Sequence, residues 1–384
     1  MRENQGTSEF RLLRGVHRTL TGLHPALESL LAAVVGMAVG AILMRIWGYN
    51  PWKAYAALFR GAYGSAFGRA SSLARGVPLV FTAMTFAICM RAGMFNIGAE
   101  GQVFLGAAAA ITVAFFHLPP GLHLIVGLVF AMIAGAAWSI GPALLKVTRG
   151  VHEVISTIMF NWIARFLVFF LVTNVLVDPR RAEKTFSIPV SARFPVLVSR
   201  TDLSYSIFLA IAFAPVIYFV LWHTVVGYEI RAAGLNPTAA RYGGINSKRT
   251  ILLSFILGGI GAGLAGASIV MGQPPTYAMF SGLPMITNTG FDGMAVAMVG
   301  RNHPIGILVA AVFFGGLTAG GRTMQIFAST PLEVVRVVTG VIVITMAIPE
   351  LLRIFPRTKG ELVKILALIR KLRQKRASQS EESP

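Results

Sequence analysis

Residues 250–272 read TILLSFILGGIGAGLAGASIVMG. Within them, Gly261-Ala262-Gly263-Leu264-Ala265-Gly266 matches the spacing of a G-x-G-x-x-G dinucleotide-binding loop. That pattern has meaning only where it follows a strand and opens a helix. Here no strand pattern precedes it, and the whole stretch carries no charge. At about 1.5 Å per helical residue it is long enough to cross a hydrocarbon core of about 30 Å. Gly258, Ala262 and Gly266 fall four apart, the spacing that lets two membrane helices approach closely. The segment therefore predicts a lipid-embedded helix, and the rest of the chain can be read outward from it.

The composition agrees. Of 384 residues, 55% are hydrophobic and 13% charged, about half the charged share of an ordinary soluble domain. The apolar residues come in long blocks, which excludes a soluble enzyme. Ten segments have the length of a span: about 27–47, 73–90, 98–116, 121–145, 154–177, 204–224, 250–272, 284–300, 304–321 and 334–352. The expected fold class is an all-α polytopic membrane protein of about ten transmembrane helices, with nine or eleven if one segment is re-entrant. The first segment follows a polar leader of about 26 residues and exceeds the usual signal-peptide core of about 7–15 residues, so it reads as an uncleaved anchor. The expected organisation is a basic leader (1–26), a transmembrane domain (27–352) and a basic tail (353–384).

Thirty-four Lys and Arg face 15 Asp and Glu, a net charge of +19. Such a surplus fits either nucleic-acid binding or the inner-side excess of a membrane protein. Position decides. With both termini cytoplasmic, the leader, Arg91, Lys146 to Arg149, the 225–249 loop, Arg301 and the tail hold 21 of the 34 cations. Short inside loops set topology, and no nucleic-acid partner is needed. The loop 178–203 argues the other way, with Arg180, Arg181, Lys184, Arg193 and Arg200, and is kept outside because long loops count for less. From Leu362 to Leu372 apolar residues recur at helical spacing among cations, which fits a basic helix lying on anionic lipid or, equally, a solvated tail.

The chain before 178 and the chain after 250 share a four-span layout. Phe95-Asn96-Ile97-Gly98-Ala99-Glu100 faintly echoes Phe291-Asp292-Gly293-Met294-Ala295-Val296, and Pro-containing turns open the next helix in both. On the topology above, half-repeats of about 73–177 and 250–352 would be inverted. Chance similarity between Gly-rich apolar stretches competes with that reading.

Only Glu100 and Asp292 among the 15 acids lie well inside candidate spans. A charge in hydrocarbon must face a cavity or a partner. The candidate solute pathway is therefore Asn96, Glu100, Gln102, Asn288 and Asp292. The competing role for these acids is to pin an interhelical contact or cap a broken helix. Asn161 and Arg165, four apart in the fifth segment, read as packing contacts. No P-loop, no H-E-x-x-H and no nucleophile–base pair is present, and Cys89 is the single cysteine. No catalytic residue and no metal site are expected.

The 227–250 stretch, GYEIRAAGLNPTAARYGGINSKRT, is the sharpest local signal. Asn236 suits an N-cap, Pro237 the first helical position, and Gly243-Gly244 a stop. Between them only one or two turns fit. Such a helix, with small Ala239 and Ala240, is a shape for docking into a partner's groove.

Four blocks go further: RAGMFNIGAEGQVFLGA (91–107), TRGVHEVISTIMFNWIA (148–164), GYEIRAAGLNPTAARYGGIN (227–246) and FDGMAVAMVGRNHPIGILVAA (291–311). Together they resemble bacterial ABC-importer permeases of the branched-chain amino acid/ribose permease superfamily, nearest its nucleoside and simple-sugar branch. The resemblance implies a type II-like importer fold in the bacterial plasma membrane, with inverted half-repeats. Implied partners are a second permease (identical or paralogous), an ABC ATPase subunit carrying the ATP and Mg, and a substrate-binding lipoprotein. No cofactor would be bound by this chain, and it would not be an enzyme. Arg231, Asn236, Pro237, Ala239, Ala240, Arg241, Tyr242, Gly243 and Ile245 would belong to the helix that couples to the ATPase. The implied solute is a nucleoside, with a simple sugar as the alternative. An ion-coupled secondary carrier is a more distant reading, disfavoured by the scarcity of buried acids.

Overall fold

A computed structural model describes residues 25–354. The leader before residue 25 and the basic tail lie outside the described residues. Thirteen α-helices follow in order: α1 (Pro25–Ile46), α2 (Pro51–Tyr63), α3 (Ala66–Arg91), α4 (Ala99–Ile111), α5 (Leu122–Arg149), α6 (Glu153–Phe170), α7 (Ser206–His223), α8 (Val225–Leu235), α9 (Pro237–Tyr242), α10 (Ser247–Gly272), α11 (Thr289–Val299), α12 (Pro304–Phe327) and α13 (Leu332–Ile354). Each of the ten apolar segments overlaps one of them. By length and composition, α3, α5, α7, α10, α12 and the stretch Glu153–Val175 are long and apolar enough to cross a membrane.

Two segments differ from expectation. The stretch 98–116 is helical only from Ala99 to Ile111, then tightens into a 3₁₀ turn, and 284–300 is helical only from Thr289 to Val299. At 1.5 Å per residue these reach about 20 and 17 Å, too short to cross alone. Hydropathy cannot register this, because Met285 and Ile286, leading into α11, add to the apolar total yet run as turns. Two elements also stand outside the ten-segment reading. Helix α2 buries Ala54, Ala57, Leu58 and Ala62, an i, i+3, i+4 face that packs on α12. The loop after α6 folds a short hairpin, Val177–Asp178 against Arg181–Thr185.

The described residues fall into two compact units, Leu43–Thr339 and a smaller one made of 25–42 with 340–354. Within the larger unit, α3 and α10 are the most buried spans. They run antiparallel: Thr85 Oγ1 donates to Gly258 O (2.7 Å), and Cys89 Sγ donates to Ser254 O (3.5 Å) one turn away. Each central helix then packs on the short and the long helix of the other half, α3 on α11 and α12, and α10 on α4 and α5. Small residues make both sets of contacts. Gly76 and Gly315 lie on the backbones of Ala311 and Ser72, while Gly259 and Gly263 lie on those of Gly135 and Ala131.

The small-residue stripe of α10 is used as expected. A Cβ at Gly266 would sit 2.5 Å from Ala107 N and Val103 O, both backbone atoms that cannot yield. Gly266→Ala is therefore expected to separate α10 from α4 at a cost of about 1–3 kcal/mol. A lowered thermal midpoint in detergent would show it, and an unchanged midpoint would refute the contact.

Candidate functional site

The two short helices meet at their N-termini, and each is capped by a side chain from elsewhere. At α4, the flanking Gly98 offers no side chain. Asn161 of α6 supplies the cap: its Oδ1 accepts from Gly101 N–H (2.8 Å) and its Nδ2 donates to Ile97 O (2.9 Å). At α11, Asn288 adopts a left-handed backbone (φ 72°) and gives no side-chain cap of its own. Asn and Gly tolerate that conformation best. Glu100 of α4 reaches across instead, accepting from Asn288 N–H (2.5 Å) and Gly290 N–H (2.6 Å). A helix N-terminus leaves such N–H groups unsatisfied and attracts negative charge. Glu100, only 4% exposed, satisfies both.

The result is a relay, α6 to α4 to α11, built from one amide and one carboxylate. It needs close approach: a Cβ on Gly290 would fall 2.3 Å from Glu100 N. Thr82 Oγ1 of α3 donates to Thr289 O (3.2 Å) and holds the same turn from the other side.

The expected pathway residues divide. Asn96 is fully buried, with Oδ1 accepting from Gly98 N–H (2.8 Å), which fixes the turn into α4. Gln102 is also buried, and its Oε1 has no hydrogen-bond partner among the described residues. Glu100 is buried as the α11 cap. Asn288 and Asp292 are exposed. Glu100 and Asn288 line a recess of about 230 Å³ together with Asn161, Trp162, Arg165 and Phe291. Trp162, Arg165 and Phe291 were not among the expected pathway residues; a tryptophan three residues before a mid-span arginine was the available signal. Among the described residues no group of three or more His, Cys, Asp or Glu could hold a metal ion.

A second site lies at the end of α3 and α7. Helix α9 is capped as its sequence dictates: Asn236 Oδ1 accepts from Thr238 N–H (3.1 Å) and Ala239 N–H (3.0 Å), and Pro237 occupies the first turn. Gly243 N–H closes on Ala239 O (3.0 Å), and Gly244 turns the chain at φ 82°. Ala240 is buried and Ile245 half-buried, whereas Asn236, Ala239, Arg241 and Gly243 are exposed. Leu235 and Tyr242, flanking the helix, are 89% and 91% exposed. They are the two most exposed large hydrophobic side chains among the described residues.

Arg231 points elsewhere. It is half-buried over the Trp222 ring (5.8 Å), which also carries Arg91 (5.2 Å) and packs against Tyr218 and His303. Burial, and then the Arg91 charge, hold the His303 imidazole below its ordinary pKa. Gly234 of α8 lies directly on the backbone of Arg91 and Gly93. Helix α8 is thus seated on the end of α3, and α9 packs against α8.

Residues 68–347 match the family described as branched-chain amino acid transport system / permease component. The guanosine ABC transporter permease protein NupP of Bacillus subtilis is 37% identical over 84% of this chain and 92% of its own length. The nucleoside ABC transporter permease protein NupB of Lactococcus lactis is 35% identical over 87% and 94%. The glucose ABC transporter permease protein TsgB13 of Haloferax volcanii is 29% identical over 83% and 86%. With six apolar helices of spanning length, two broken ones and this match, the chain belongs to the branched-chain amino acid transport system permease family and is a multi-pass membrane permease rather than an enzyme.

Proposed function

We propose that this chain is the membrane-spanning subunit of an ATP-driven importer that brings nucleosides into the cell by alternating access. The observation that carries the reading is the capped α9 with Leu235 and Tyr242 exposed beside it. A chain with no nucleotide-binding motif needs a rigid, protruding element to receive work from an ATPase, and α9 fits that need. It packs against α8, which is seated on the end of α3, and against α10, so a displacement of α9 has a route to the central helices. The solute class follows the two relatives named for guanosine and nucleosides. The more distant glucose permease leaves a simple sugar as the comparison solute.

In this reading α9 lies on the cytoplasmic side with both termini. A second permease, an ATPase holding ATP and Mg, and an extracytoplasmic binding lipoprotein complete the assembly. The Bacillus and Lactococcus systems each contain a further nucleoside permease that also resembles this chain, which supports a paralogous pair. ATP binding draws the ATPase halves together, both α9 helices follow, and the spans rock around the solute path. The permease contributes contacts that differ between the two states and no covalent chemistry.

Radiolabelled guanosine uptake by the reconstituted complex, with nucleosides, free bases, ribose and glucose as competitors, tests the solute. Competition by nucleosides alone supports the proposal, and competition by sugars alone replaces it with a sugar permease. Arg241→Glu, which reverses an exposed charge on α9, is expected to leave the membrane fold intact and uncouple ATP hydrolysis from uptake. Normal transport by a variant that still co-purifies with its ATPase would remove α9 from the coupling role.

A further inference from the structure

The recess beside the capped helices has a chemistry of its own. Arg165 sits midway along α6, in a span where a cation must find a polar cavity or a partner. Among the described residues it makes no close ion pair, though it lies within electrostatic range of the Glu100 carboxylate, and its guanidinium lies over the Trp162 ring at 5.4 Å. Trp162 is 53% exposed and Phe291, across the recess on α11, is 39% exposed. The floor is polar but committed: the Glu100 carboxylate and the Asn161 amide are engaged with backbone groups. The Trp162 ring, which also stacks with Phe166 (centroids 6.1 Å), the Phe291 ring and one planar cation remain to meet a visitor.

Volume gives the second argument. The recess holds about 230 Å³ and is open on one side, below the roughly 300–1,000 Å³ of complete small-molecule sites. It is smaller than a complete site, which leaves a wall to be supplied by another element. Flat apolar faces bind a planar heterocycle by stacking, tolerant of which base it is. A guanidinium adds selectivity, because its fork matches the adjacent O6 and N7 acceptors of guanine or hypoxanthine, whereas adenine presents a donor at that edge.

We propose that Trp162, Phe291 and Arg165 form half of a subsite for the base of 6-oxopurine nucleosides in the transport path, completed by the second permease. The assignment rests on the nucleoside reading above. Trp162 and Phe291 hold the base plane; Arg165 reads its edge.

The test uses the complete transporter in proteoliposomes, with initial uptake of saturating radiolabelled guanosine and adenosine and equal permease content in every preparation. If the wild type carries neither nucleoside, the nucleoside reading fails and the subsite falls with it. If the wild type carries them, Trp162→Ala is expected to slow both about tenfold, and Trp162→Phe to restore most of the rate. Arg165→Gln is expected to shift the guanosine-to-adenosine ratio about tenfold toward adenosine, the scale of a lost bidentate contact. Arg165→Lys, which keeps the charge but not the fork, should shift the ratio the same way and guards against a folding defect. Wild-type rates and ratios in these variants would overturn the subsite and leave nucleoside transport standing. Equal loss for both solutes, with no rescue by Phe and no change of ratio, would assign these residues to packing and overturn it too.

Discussion

Glu100→Ala is expected to abolish uptake and to lower the thermal midpoint of the detergent-solubilised protein. The side chain satisfies two N–H groups at the start of α11, and that of Gly290 is wholly buried. Stripping the acceptor leaves the Gly290 donor without a partner and the Asn288 donor only partly hydrated, a cost of about 2–4 kcal/mol. Losing a buried carboxylate returns some desolvation energy, but two helix N-termini already favour the negative charge at this point. The acceptor's loss therefore dominates. Glu100→Gln separates the contributions: one amide oxygen can accept from one N–H, but the amide nitrogen then faces the other donor. Uptake by the Gln variant should fall between wild type and Ala. The same uptake and midpoint in the Ala variant as in wild type would mean that the cap is not needed to hold the broken helices together.

The second large effect is expected at Tyr242. Its side chain and that of Leu235 are almost fully exposed, so removing them takes little from the fold. If α9 docks into an ATPase groove, a bare tyrosine at its end is the kind of residue that dominates an interface, at about 2 kcal/mol or more per truncation. Tyr242→Ala combined with Leu235→Ala should keep the wild-type melting profile and lose co-purification of the ATPase by roughly thirtyfold or more. ATP hydrolysis in the membrane should then no longer respond to solute. Retained co-purification with unchanged uptake would place the docking surface somewhere else.

Some of this was legible in the chain because it is written locally. Capping is such a case: Asn236, Pro237 and the Gly243-Gly244 pair act within a few residues, and their geometry is the one the spacing dictates. The stripe of Gly258, Ala262 and Gly266 also held, since a small residue every four positions has one main use in a membrane helix. The buried acid at Glu100 was found as a charge in the wrong solvent. Its work as a cap joins residues 188 and 190 positions apart, which no local pattern encodes. Asn161 was read as a packing contact for the same reason: its role is to cap a helix sixty residues away. The short lengths of α4 and α11 escaped because hydropathy records what surrounds a residue and not whether its backbone is helical. Helix α2 carried its signal in alanines, which a hydropathy scan weighs lightly.

The crossed packing of the two halves has a consequence for how the protein is made. When the ribosome has released the chain only as far as α6, α3 is already in the bilayer, yet the faces that meet α10, α11 and α12 have nothing against them. Gly76 and Ser72 then look at lipid, and Glu100 has no loop to cap. Lipid tails match leucine well and an exposed backbone poorly, so this half-made protein is an attractive substrate for quality-control proteases until α12 emerges. Completion of the first half is therefore expected to wait on the second, and a mutation in the last third of the gene is expected to disturb helices synthesised correctly in the first.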